Sequence, residues 1–397
     1  MQQQYKRLIL LPQKDKSVLR KHPWIFSGAL QKPNTTIEEG ELVEVYNSKK
    51  EYLCVGFWQN ASIAVKVLSF QKEEIDYNFI LNRVKQAVEY RRSLEFFNNP
   101  ATNIFRLINA EGDFMPSLIA DYYNGLVVLQ FHSLGMYNLR NEIVNAIKEV
   151  LQEDCKAIFS KSSSTLPKQI SSESDRFLLG EINEEWFAKE NNLKFRIDYN
   201  QGQKTGFFID QRVNRELVQT LSKGRNVINA FSYTGGFSLA AIQGGAKKVL
   251  SLDISKRAVE LCEQNVAMNF ESEVNHQALA VDVLDYLDQV PKGEFDLIIL
   301  DPPAFAKHNR NLNQALKGYR QINQKAMEKI AKGGFLFTFS CSQAVSREDF
   351  GTMLFSCAAL ANRNIRIVQR LPHAMDHPQS IFHPEGEYLK GFLLQVE

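Results

Sequence analysis

The chain has 397 residues, of which 44% are hydrophobic, so it is long enough for two or three domains with buried cores. The net charge of +2 favours no partner by itself, and no stretch approaches the ~20 consecutive apolar residues of a membrane span. Five cysteines without a C-x-x-C pair argue against a disulfide framework and a zinc site, and they predict a reducing, cytoplasmic location.

The first part of the chain, residues 1–72, is predicted to form a small β module with a basic surface. It has 11 Lys and Arg against 6 Asp and Glu, whereas residues 73–189 have 12 against 17. Alternating apolar residues predict three short strands, over residues 41–46, 52–57 and 63–70. A basic module on a nearly neutral chain indicates a nucleic-acid contact surface. Charge alone slightly favours the alternative of a solvated face without a partner.

Lys21 and Trp24 are the candidate RNA-binding residues of this module. They lie in the segment KHPWIF, where a basic pair precedes an aromatic cluster. This combination can grip a phosphate and stack a base. For the aromatic rings, the favoured alternative is that they fill the module's own core.

The middle of the chain shows the pattern of an α+β unit. Helices are predicted over residues 77–97 and 137–151, and a strand meander over 105–132. The pair Asn124-Gly125 inside the meander is a strong hairpin signal. No motif in this segment carries chemistry.

The last part of the chain alternates strands and helices, which predicts a parallel α/β sheet. Each predicted strand has polar residues at its carboxyl end, and in an open parallel sheet these ends line one ligand crevice. The first of the five predicted strands begins at residue 226, and the other four cover residues 248–254, 276–282, 295–301 and 334–342.

The turn after the first of these strands is the candidate ligand cradle. Residues 226–239, NVINAFSYTGGFSL, combine an apolar strand, a turn with Gly235 and Gly236, and the start of a helix. Glycines let the backbone come close to a ligand, and a helix start offers unpaired N–H groups. The spacing is not that of a dinucleotide-binding fingerprint. Asp253, roughly twenty residues beyond the turn, suits the two hydroxyls of a ribose.

The motifs NAFSYTGGF, LDIS, DPPAF and SCS, with GQKTGFFIDQR at residues 202–212, resemble those of class I S-adenosylmethionine-dependent methyltransferases. More narrowly, they are similar to the rRNA large subunit methyltransferase I family, which methylates carbon 5 of a cytosine in large-subunit rRNA. KHPWIFSGAL near the start resembles the family's PUA domain, and HPEGEYLKGF near the end matches its C-terminal motif. The resemblance therefore covers nearly the whole chain.

The resemblance implies an α/β fold of three domains. A small β-barrel PUA domain would occupy residues 1–72, a central α+β linking domain 73–189, and a Rossmann-like class I methyltransferase domain 190–397. PUA domains bind RNA, so the expected partner is large-subunit rRNA or its precursor particle. The linking domain would frame an RNA cleft or serve as a spacer. The sequence leaves open whether the chain forms a homodimer.

The resemblance also implies S-adenosylmethionine as cofactor. No metal is expected, because the cysteines form no C-x-x-C pair. The glycine turn would hold the methionine end, Asp253 the ribose, Asp282 the adenine amine, and Asp301 would lie near the sulfonium, under a lid formed by the motif at residues 202–212. The expected cofactor-binding residues are Lys204, Thr205, Phe207, Asp210, Asn229, Ala230, Phe231, Tyr233, Gly235, Gly236, Asp253, Ile254, Asp282, Val283, Asp301 and Pro302.

Two structural alternatives accompany these assignments. Asp253 and Asp282 could each serve as a helix cap, although three acids at successive strand ends argue against caps alone. Arg212 and Arg215, which follow the lid motif, could be ordinary surface charge on a helix.

Cys341 and Asp301 are the expected catalytic residues. Carbon 5 of cytosine is a poor nucleophile, and addition of a thiolate to carbon 6 makes the ring enamine-like, so the reaction needs a cysteine beside the methyl donor. Cys341 lies at the end of the fifth predicted strand, between two serines. The other four cysteines are expected to be small core residues. By resemblance, Asp301 would hydrogen-bond the cytosine ring nitrogen.

Two other functions remain open from the sequence. Guanine-N2 methyltransferases of large-subunit rRNA share the FSYTG and DPP motifs, but methylation of an amino group requires no thiol. An RNA-binding assembly factor with a vestigial cofactor site is the non-enzymatic alternative, and the intact acids and glycines argue against it.

Overall fold

In the computed structural model, which describes residues 5–171, 174–270, 274–305 and 312–397, the basic N-terminal segment forms a five-stranded sheet. Its strands are β1 (Lys6–Ile9), β2 (Trp24–Phe26), β3 (Leu42–Tyr46), β4 (Tyr52–Trp58) and β5 (Ile63–Ser69), and a short helix, α1 (Lys16–Leu19), lies between β1 and β2. The strand order is β1-β3-β4-β5-β2. The three strands that alternation predicted are β3, β4 and β5, and their inward side chains, such as Val43 and Val65, are fully buried.

The next segment forms the predicted α+β arrangement around a second five-stranded sheet. Its strands are β6 (Ile104–Asn109), β7 (Leu118–Tyr123), β8 (Leu126–Phe131), β9 (Ala157–Ser160) and β10 (Arg176–Leu179), and its helices are α2 (Tyr77–Ser93), α3 (Leu134–Asn138), α4 (Arg140–Leu151) and α5 (Lys168–Ser171). The order is β10-β9-β8-β7-β6. Asn124 and Gly125 both have positive φ and close the β7–β8 hairpin, as their sequence predicts.

The described residues divide into two units whose bounds cross the order of the sequence. The first unit comprises Met1–Lys189, Ile197–Ile209 and Met375–Gly386, and the second comprises Glu190–Arg196, Asp210–Ala374 and Glu387–Glu397. Two segments that the sequence analysis assigned to the last domain therefore belong to the first unit. The domain boundaries after residues 72 and 189 stay a prediction. Two short strands, β11 (Phe187–Glu190) and β12 (Leu193–Arg196), lie where the chain first passes between the units.

A buried ion pair connects distant parts of the first unit. Arg91 on α2 is fully buried and donates to both carboxylate oxygens of Asp113, over 2.5 and 2.8 Å. It also donates to the carbonyl oxygen of Asp376, at 2.8 Å, and the Asp376 carboxylate accepts from the backbone N–H of Arg106 at 2.8 Å. This network holds a segment close to the C-terminus against a helix that begins some 300 residues earlier.

The second unit contains a seven-stranded sheet, in the order β15-β14-β13-β16-β17-β19-β18. The strands are β13 (Asn226–Ala230), β14 (Lys248–Asp253), β15 (His276–Ala280), β16 (Leu297–Leu300), β17 (Gly334–Ser340), β18 (Ile365–Leu371) and β19 (Lys390–Val396). All neighbouring pairs from β15 to β17 are parallel, and β19 runs antiparallel to both of its neighbours. The five strands predicted from the sequence are β13 to β17, and their parallel arrangement is confirmed.

Helices connect these strands. They are α6 (Arg212–Leu221), α7 (Gly236–Gln243), α8 (Lys256–Asn269), α9 (Val283–Gln289), α10 (Leu312–Lys329) and α11 (Arg347–Leu360). Within the described ranges of the chain, no helix has the length and apolar character that crossing a membrane requires.

The register of the parallel strands brings the ends of β13, β14, β16 and β17 to one edge. Asn229 pairs with Ser251 of β14 on one side and with Ile299 of β16 on the other, and Leu300 pairs with Thr338 of β17. The residues that follow each strand therefore meet along this edge, which is where the sequence analysis expects the ligand.

Replacement of Arg91 by Met is expected to destabilise the first unit by about 3–5 kcal/mol, because the carboxylate of Asp113 would stay buried without its partner. All three tryptophans, Trp24, Trp58 and Trp186, lie in this unit, so denaturant unfolding followed by tryptophan fluorescence reports on it directly.

The matched control is Lys85→Met on the same helix. Lys85 and Glu149 are 3.8 Å apart with both side chains about half exposed, and exposed pairs of this kind contribute little to stability. An equal loss of stability in the two variants would contradict the importance assigned to the buried pair.

Candidate active site

The turn between β13 and α7 has an unusual backbone. Phe231, Tyr233 and Gly235 all have positive φ, at 61°, 47° and 84°. A Cβ at Gly235 would lie 2.5 Å from the sulfur of Cys262, so no larger residue fits there without displacement of its neighbours. Non-glycine residues seldom adopt positive φ, and such strain is concentrated at functional sites. The turn is thus held in one specific shape.

Asp253, at the end of β14, fixes this shape. Its carboxylate accepts a hydrogen bond from the backbone N–H of Tyr233 and another from that of Ser255, each at 2.9 Å. The next residue, Ile254, leaves 76% of its surface exposed, which is high for a large apolar side chain. A carboxylate beside an exposed apolar surface suits a ribose and its attached base.

Buried polar side chains connect the turn to the strands beneath it. The amide of Asn229 donates to the hydroxyl of Ser238 at 2.8 Å, Ser238 lies 2.6 Å from Ser251, and Ser251 lies 2.8 Å from Nε2 of His276. Burial lowers the pKa of His276 to about 4, so at neutral pH its ring is uncharged and can accept this bond. The turn therefore rests on a layer of hydrogen-bonded groups.

Two buried oxygens at the same turn have no hydrogen-bond partner among the described residues. They are Oδ1 of Asn229 and Oγ of Ser232. Buried polar atoms without partners are uncommon in folded proteins, so these two oxygens are candidates for hydrogen bonds with a ligand. Together with the close approach at Gly235 and the carboxylate of Asp253, they fit the amino-acid and ribose parts of S-adenosylmethionine.

Asp282 is a helix cap in this structure. Its carboxylate accepts from the backbone N–H groups of Leu284 and Asp285, at 2.8 and 3.1 Å, at the start of α9. Val283 is buried in the first turn of the same helix. The cap does not occupy every acceptor site of the carboxylate, and the expected adenine contact of this pair stays a prediction.

The DPP loop and Cys341 lie next to each other. Asp301 follows β16 and is half-buried, and Cys341 follows β17. The sulfur of Cys341 is 3.8 Å from the carbonyl oxygen of Pro302. Cys341 is partly exposed, whereas Cys54, Cys155, Cys262 and Cys357 are buried. Both expected catalytic residues thus lie at the carboxyl edge of the sheet, and the other four cysteines have the core positions that the sequence predicted.

Lys390 is a residue of this region that the sequence analysis missed. It is 2% exposed, and its ammonium group donates to the carbonyl oxygens of Ser342, at 2.7 Å, and Tyr388, at 2.8 Å. Burial lowers its pKa to about 8, and the nearby Cys341 and Glu387 oppose that shift. The only sequence signal is its place in HPEGEYLKGF, where the first residue of an apolar strand is a lysine.

The predicted lid motif is divided between the two units. In the first unit, the hydroxyl of Thr205 donates to Asp121 at 2.6 Å and lies 2.9 Å from that of Tyr123, Phe207 is buried, and Lys204 lies over the ring of Phe208. In the second unit, Asp210 accepts from the hydroxyl of Tyr388 at 2.7 Å. The proposed contacts of these residues with a cofactor stay a prediction.

The interpretation of Arg212 and Arg215 as surface charge is wrong. Both side chains are buried in the second unit beside the carboxylate of Glu190. Arg215 donates to both oxygens of Glu190, over 2.6 and 2.7 Å. A Cβ at Gly236 would lie 3.1 Å from Cδ of Arg215, so this pair also supports the start of α7. Sequence reasoning missed it because a buried arginine is recognised only once its partner is known.

In the first unit, Trp24 makes specific contacts of its own. Its indole N–H donates to Glu111 at 2.9 Å, and its ring centroid lies 4.4 Å from that of His383. Lys21 is exposed and has a φ of 62°. The contacts of Trp24 agree better with a packing role for the ring, and the RNA-binding role of both residues stays a prediction.

The sheet order with its single antiparallel strand, the glycine turn and the acid after β14 define a class I S-adenosylmethionine-dependent methyltransferase. Family comparison agrees, since a model of S-adenosylmethionine-dependent methyltransferases matches residues 112–386 and a PUA-like domain matches residues 8–70. The predicted fold class and cofactor are therefore confirmed.

More narrowly, the chain belongs to the ribosomal RNA large subunit methyltransferase I family. It is 36% identical over 395 residues to the protein of that name from Aeromonas salmonicida, covering 98% of this chain and 99% of the relative. It is 37% identical over 398 residues to that from Pseudoalteromonas atlantica, with the same coverage.

Two solved structures of similar fold each align with 98% of this chain over the full length of their own chain. One is a chain from Streptococcus mutans classed as a methyltransferase dependent on S-adenosylmethionine, with a TM-score of 0.84 and 23% identity. Another, with a TM-score of 0.85 and 23% identity, is a methyltransferase in complex with S-adenosylhomocysteine. At this identity, the likeness establishes the fold.

Replacement of Gly235 by Ala is expected to lower the affinity for S-adenosylmethionine at least about tenfold, which corresponds to about 1.4 kcal/mol. The added Cβ would collide with Cys262 and shift the turn. Isothermal titration calorimetry measures the effect.

Gly245→Ala, at the other end of α7, is the matched control. Gly245 has nearly the same φ, 82°, but its nearest neighbour would lie 3.9 Å from a Cβ. Both variants carry the cost of a left-handed alanine, about 1–2 kcal/mol of stability, and only Gly235→Ala adds the collision. Equal losses of affinity would show that the collision is irrelevant to binding.

Proposed function

We propose that the protein methylates carbon 5 of a cytosine in large-subunit rRNA, with Cys341 as a covalent nucleophile. The observation that carries this proposal is the position of Cys341. It is the partly exposed cysteine among five, it follows β17 at the ligand edge, and its sulfur lies 3.8 Å from the DPP loop. Methylation of an amino group would need no thiol at this place.

The thiol has a defined chemical task. The thiolate of Cys341 adds to carbon 6 of the cytosine, forming an S–C bond and making carbon 5 electron-rich. S-adenosylmethionine, when bound, supplies an electrophilic methyl group. After methylation, carbon 5 loses its proton to a base, and the electron pair of that C–H bond re-forms the 5,6 double bond and expels the sulfur of Cys341 as thiolate. The cysteine is therefore regenerated in each turnover.

Asp301 would assist the addition step. When sulfur adds to carbon 6, negative charge develops on the ring, including its nitrogen N3. The Asp301 carboxyl, in its protonated form, would donate a hydrogen bond to N3 and stabilise this charge. Its half-buried position directly before Pro302, whose carbonyl lies near Cys341, supports this role.

For cofactor binding, the proposal assigns the ribose to Asp253, the base to the exposed face of Ile254, and the methionine end to the turn at Gly235. The oxygens of Asn229 and Ser232 that have no partner among the described residues support the last of these. The polar part of the ligand would complete the hydrogen bonding that the protein leaves open at this turn.

The names of the relatives and the PUA-like domain support rRNA as the substrate. The net positive charge of residues 1–72 favours contact with phosphates. A base within a helix cannot reach a donor bound at the edge of a sheet, so the target cytosine must be unpaired or flipped out of its stack.

Cys341→Ala is expected to abolish methyl transfer to large-subunit rRNA while S-adenosylmethionine still binds. In the presence of S-adenosylmethionine, RNA that contains 5-fluorocytosine should form a stable adduct with the unmodified protein, because after methylation the fluorine at carbon 5 cannot leave as the proton does. Denaturing electrophoresis detects the adduct, and the Cys341→Ala variant should form none.

Cys357→Ala serves as the control, since that thiol is buried on α11 and should affect neither transfer nor adduct. Full activity of Cys341→Ala would contradict the covalent mechanism and favour methylation of guanine N2. Absence of cofactor binding to the unmodified protein would favour a non-enzymatic assembly factor. Bisulfite sequencing and mass spectrometry of rRNA from cells with and without the gene would identify the base.

A further inference from the structure

We propose that Lys390 is a positioning residue that keeps Cys341 in its thiolate form through a buried positive charge at the end of β17. This inference rests on the proposed function of Cys341 as the nucleophile. Nucleophilic thiols depend on nearby positive charge, because the thiolate is the reactive species. At the carboxyl edge of the seven-stranded sheet, Lys390 provides such a charge beside Cys341.

The β-sheet register places the lysine beside the cysteine. Lys390 pairs with Ser340 across the antiparallel ladder of β17 and β19, one residue before Cys341. Its ammonium group then reaches the carbonyl oxygen of Ser342, one residue after Cys341, at 2.7 Å. Lys390 therefore contacts the residues on both sides of Cys341, the residue on which it is proposed to act.

The hydrogen bonds of Lys390 hold its charge in place. Of the three protons of the ammonium group, one goes to Ser342 and one to the carbonyl of Tyr388. Carbonyl oxygens accept without neutralising the charge, unlike a carboxylate. When it is protonated, an ammonium group that bonds to carbonyls in this way has a charge that no hydrogen-bonded carboxylate cancels, and this charge can act on a nearby anion.

The other ionisable groups around Lys390 do not replace this role. Arg347 on α11 and Glu387 before β19 form their own ion pair at 2.6 Å, so their charges largely cancel. Tyr319 on α10 lies 2.9 Å from the hydroxyl of Ser342, and burial raises its pKa, so it stays neutral. Among these groups, Lys390 is the buried cation whose charge no carboxylate neutralises.

The pKa of Lys390 agrees with a charge interaction between its ammonium group and the thiolate of Cys341. Burial lowers the pKa of Lys390 to about 8, and the negative charge of ionised Cys341 opposes this shift. Interaction between two groups is reciprocal, so a protonated Lys390 stabilises the thiolate as much as the thiolate stabilises the ammonium group. Below about pH 8 the lysine is charged, and this charge makes loss of the Cys341 thiol proton to solvent easier than it would be beside a neutral lysine.

The test is the pH dependence of alkylation of Cys341 by iodoacetamide, measured peptide by peptide by mass spectrometry. In the unmodified protein, the midpoint should lie below the ~8.5 of an ordinary thiol. Lys390→Met should raise the midpoint by one pH unit or more, and at pH 7 it should slow alkylation about tenfold. Lys390→Arg should keep the low midpoint, because its charge is retained.

Two internal references are available. Burial raises the pKa of Cys155 and of Cys357 to about 11, so both thiols should react slowly in all variants. Lys248→Met is the matched control: Lys248 begins β14 of the same sheet, pairs with Glu294 at 2.9 Å, and should leave the midpoint unchanged.

Several outcomes would overturn the inference. An unmodified protein with a midpoint at or above ~8.5 would do so without any variant, even if Lys390→Met fails to fold. An unchanged midpoint in Lys390→Met would also overturn the inference. If the midpoint rises as much in Lys390→Arg as in Lys390→Met, the role of Lys390 is purely structural and the inference fails. Because alkylation needs no RNA, the proposed function is tested separately: if Cys341→Ala methylates normally while the alkylation shifts hold, only the covalent mechanism fails.

Discussion

The parallel pairing of β13, β14, β16 and β17 is the constraint on which the site depends. Because these strands are in register, the residues that follow them meet along one edge, and the sulfur of Cys341 comes within 3.8 Å of the Pro302 carbonyl across the gap between two neighbouring strands. Parallel strands require long connections, so residues far apart in the sequence become neighbours only through this pairing. A shift of one residue in β17 would turn its side chains to the opposite face and move Cys341 away from the loop.

Two buried positive charges lie next to elements of this edge. Arg215 is bound by Glu190 next to the start of α7, and Lys390 bonds to carbonyl oxygens beside Cys341. A buried charge is costly unless it is paired or hydrogen-bonded, so each of these groups specifies one arrangement of its surroundings. The carboxylate partner of Arg215 and the carbonyl partners of Lys390 have different effects on the buried charge. A carboxylate neutralises its arginine and leaves a structural support, whereas carbonyls leave the lysine charged and able to act on a neighbouring thiol.

Several residues of the site could be predicted from sequence because their signals are local. The glycine turn, the acid after β14 and the cysteine after β17 each follow an apolar strand, and the structure brings them to the same edge. Asp282 shows the limit of prediction from sequence. Its carboxylate caps α9 in the structure, and an acid at the end of a strand has the same sequence pattern whether it caps a helix or binds a ligand. Arg212 and Arg215 show a second limit, because helical spacing does not reveal that Glu190 lies beside them.

The sequence by itself determined the order of the parallel strands of the seven-stranded sheet, the cysteine that differs from the other four, and the family resemblance, because periodicity and short motifs are properties of neighbouring residues. Only the tertiary structure decided which charges are buried and what neutralises them. It also decided that residues 197–209 and 375–386 belong to the first unit. The physical reason is that burial and pairing arise from contacts between residues tens to hundreds of positions apart, and no local pattern in the chain encodes such a contact.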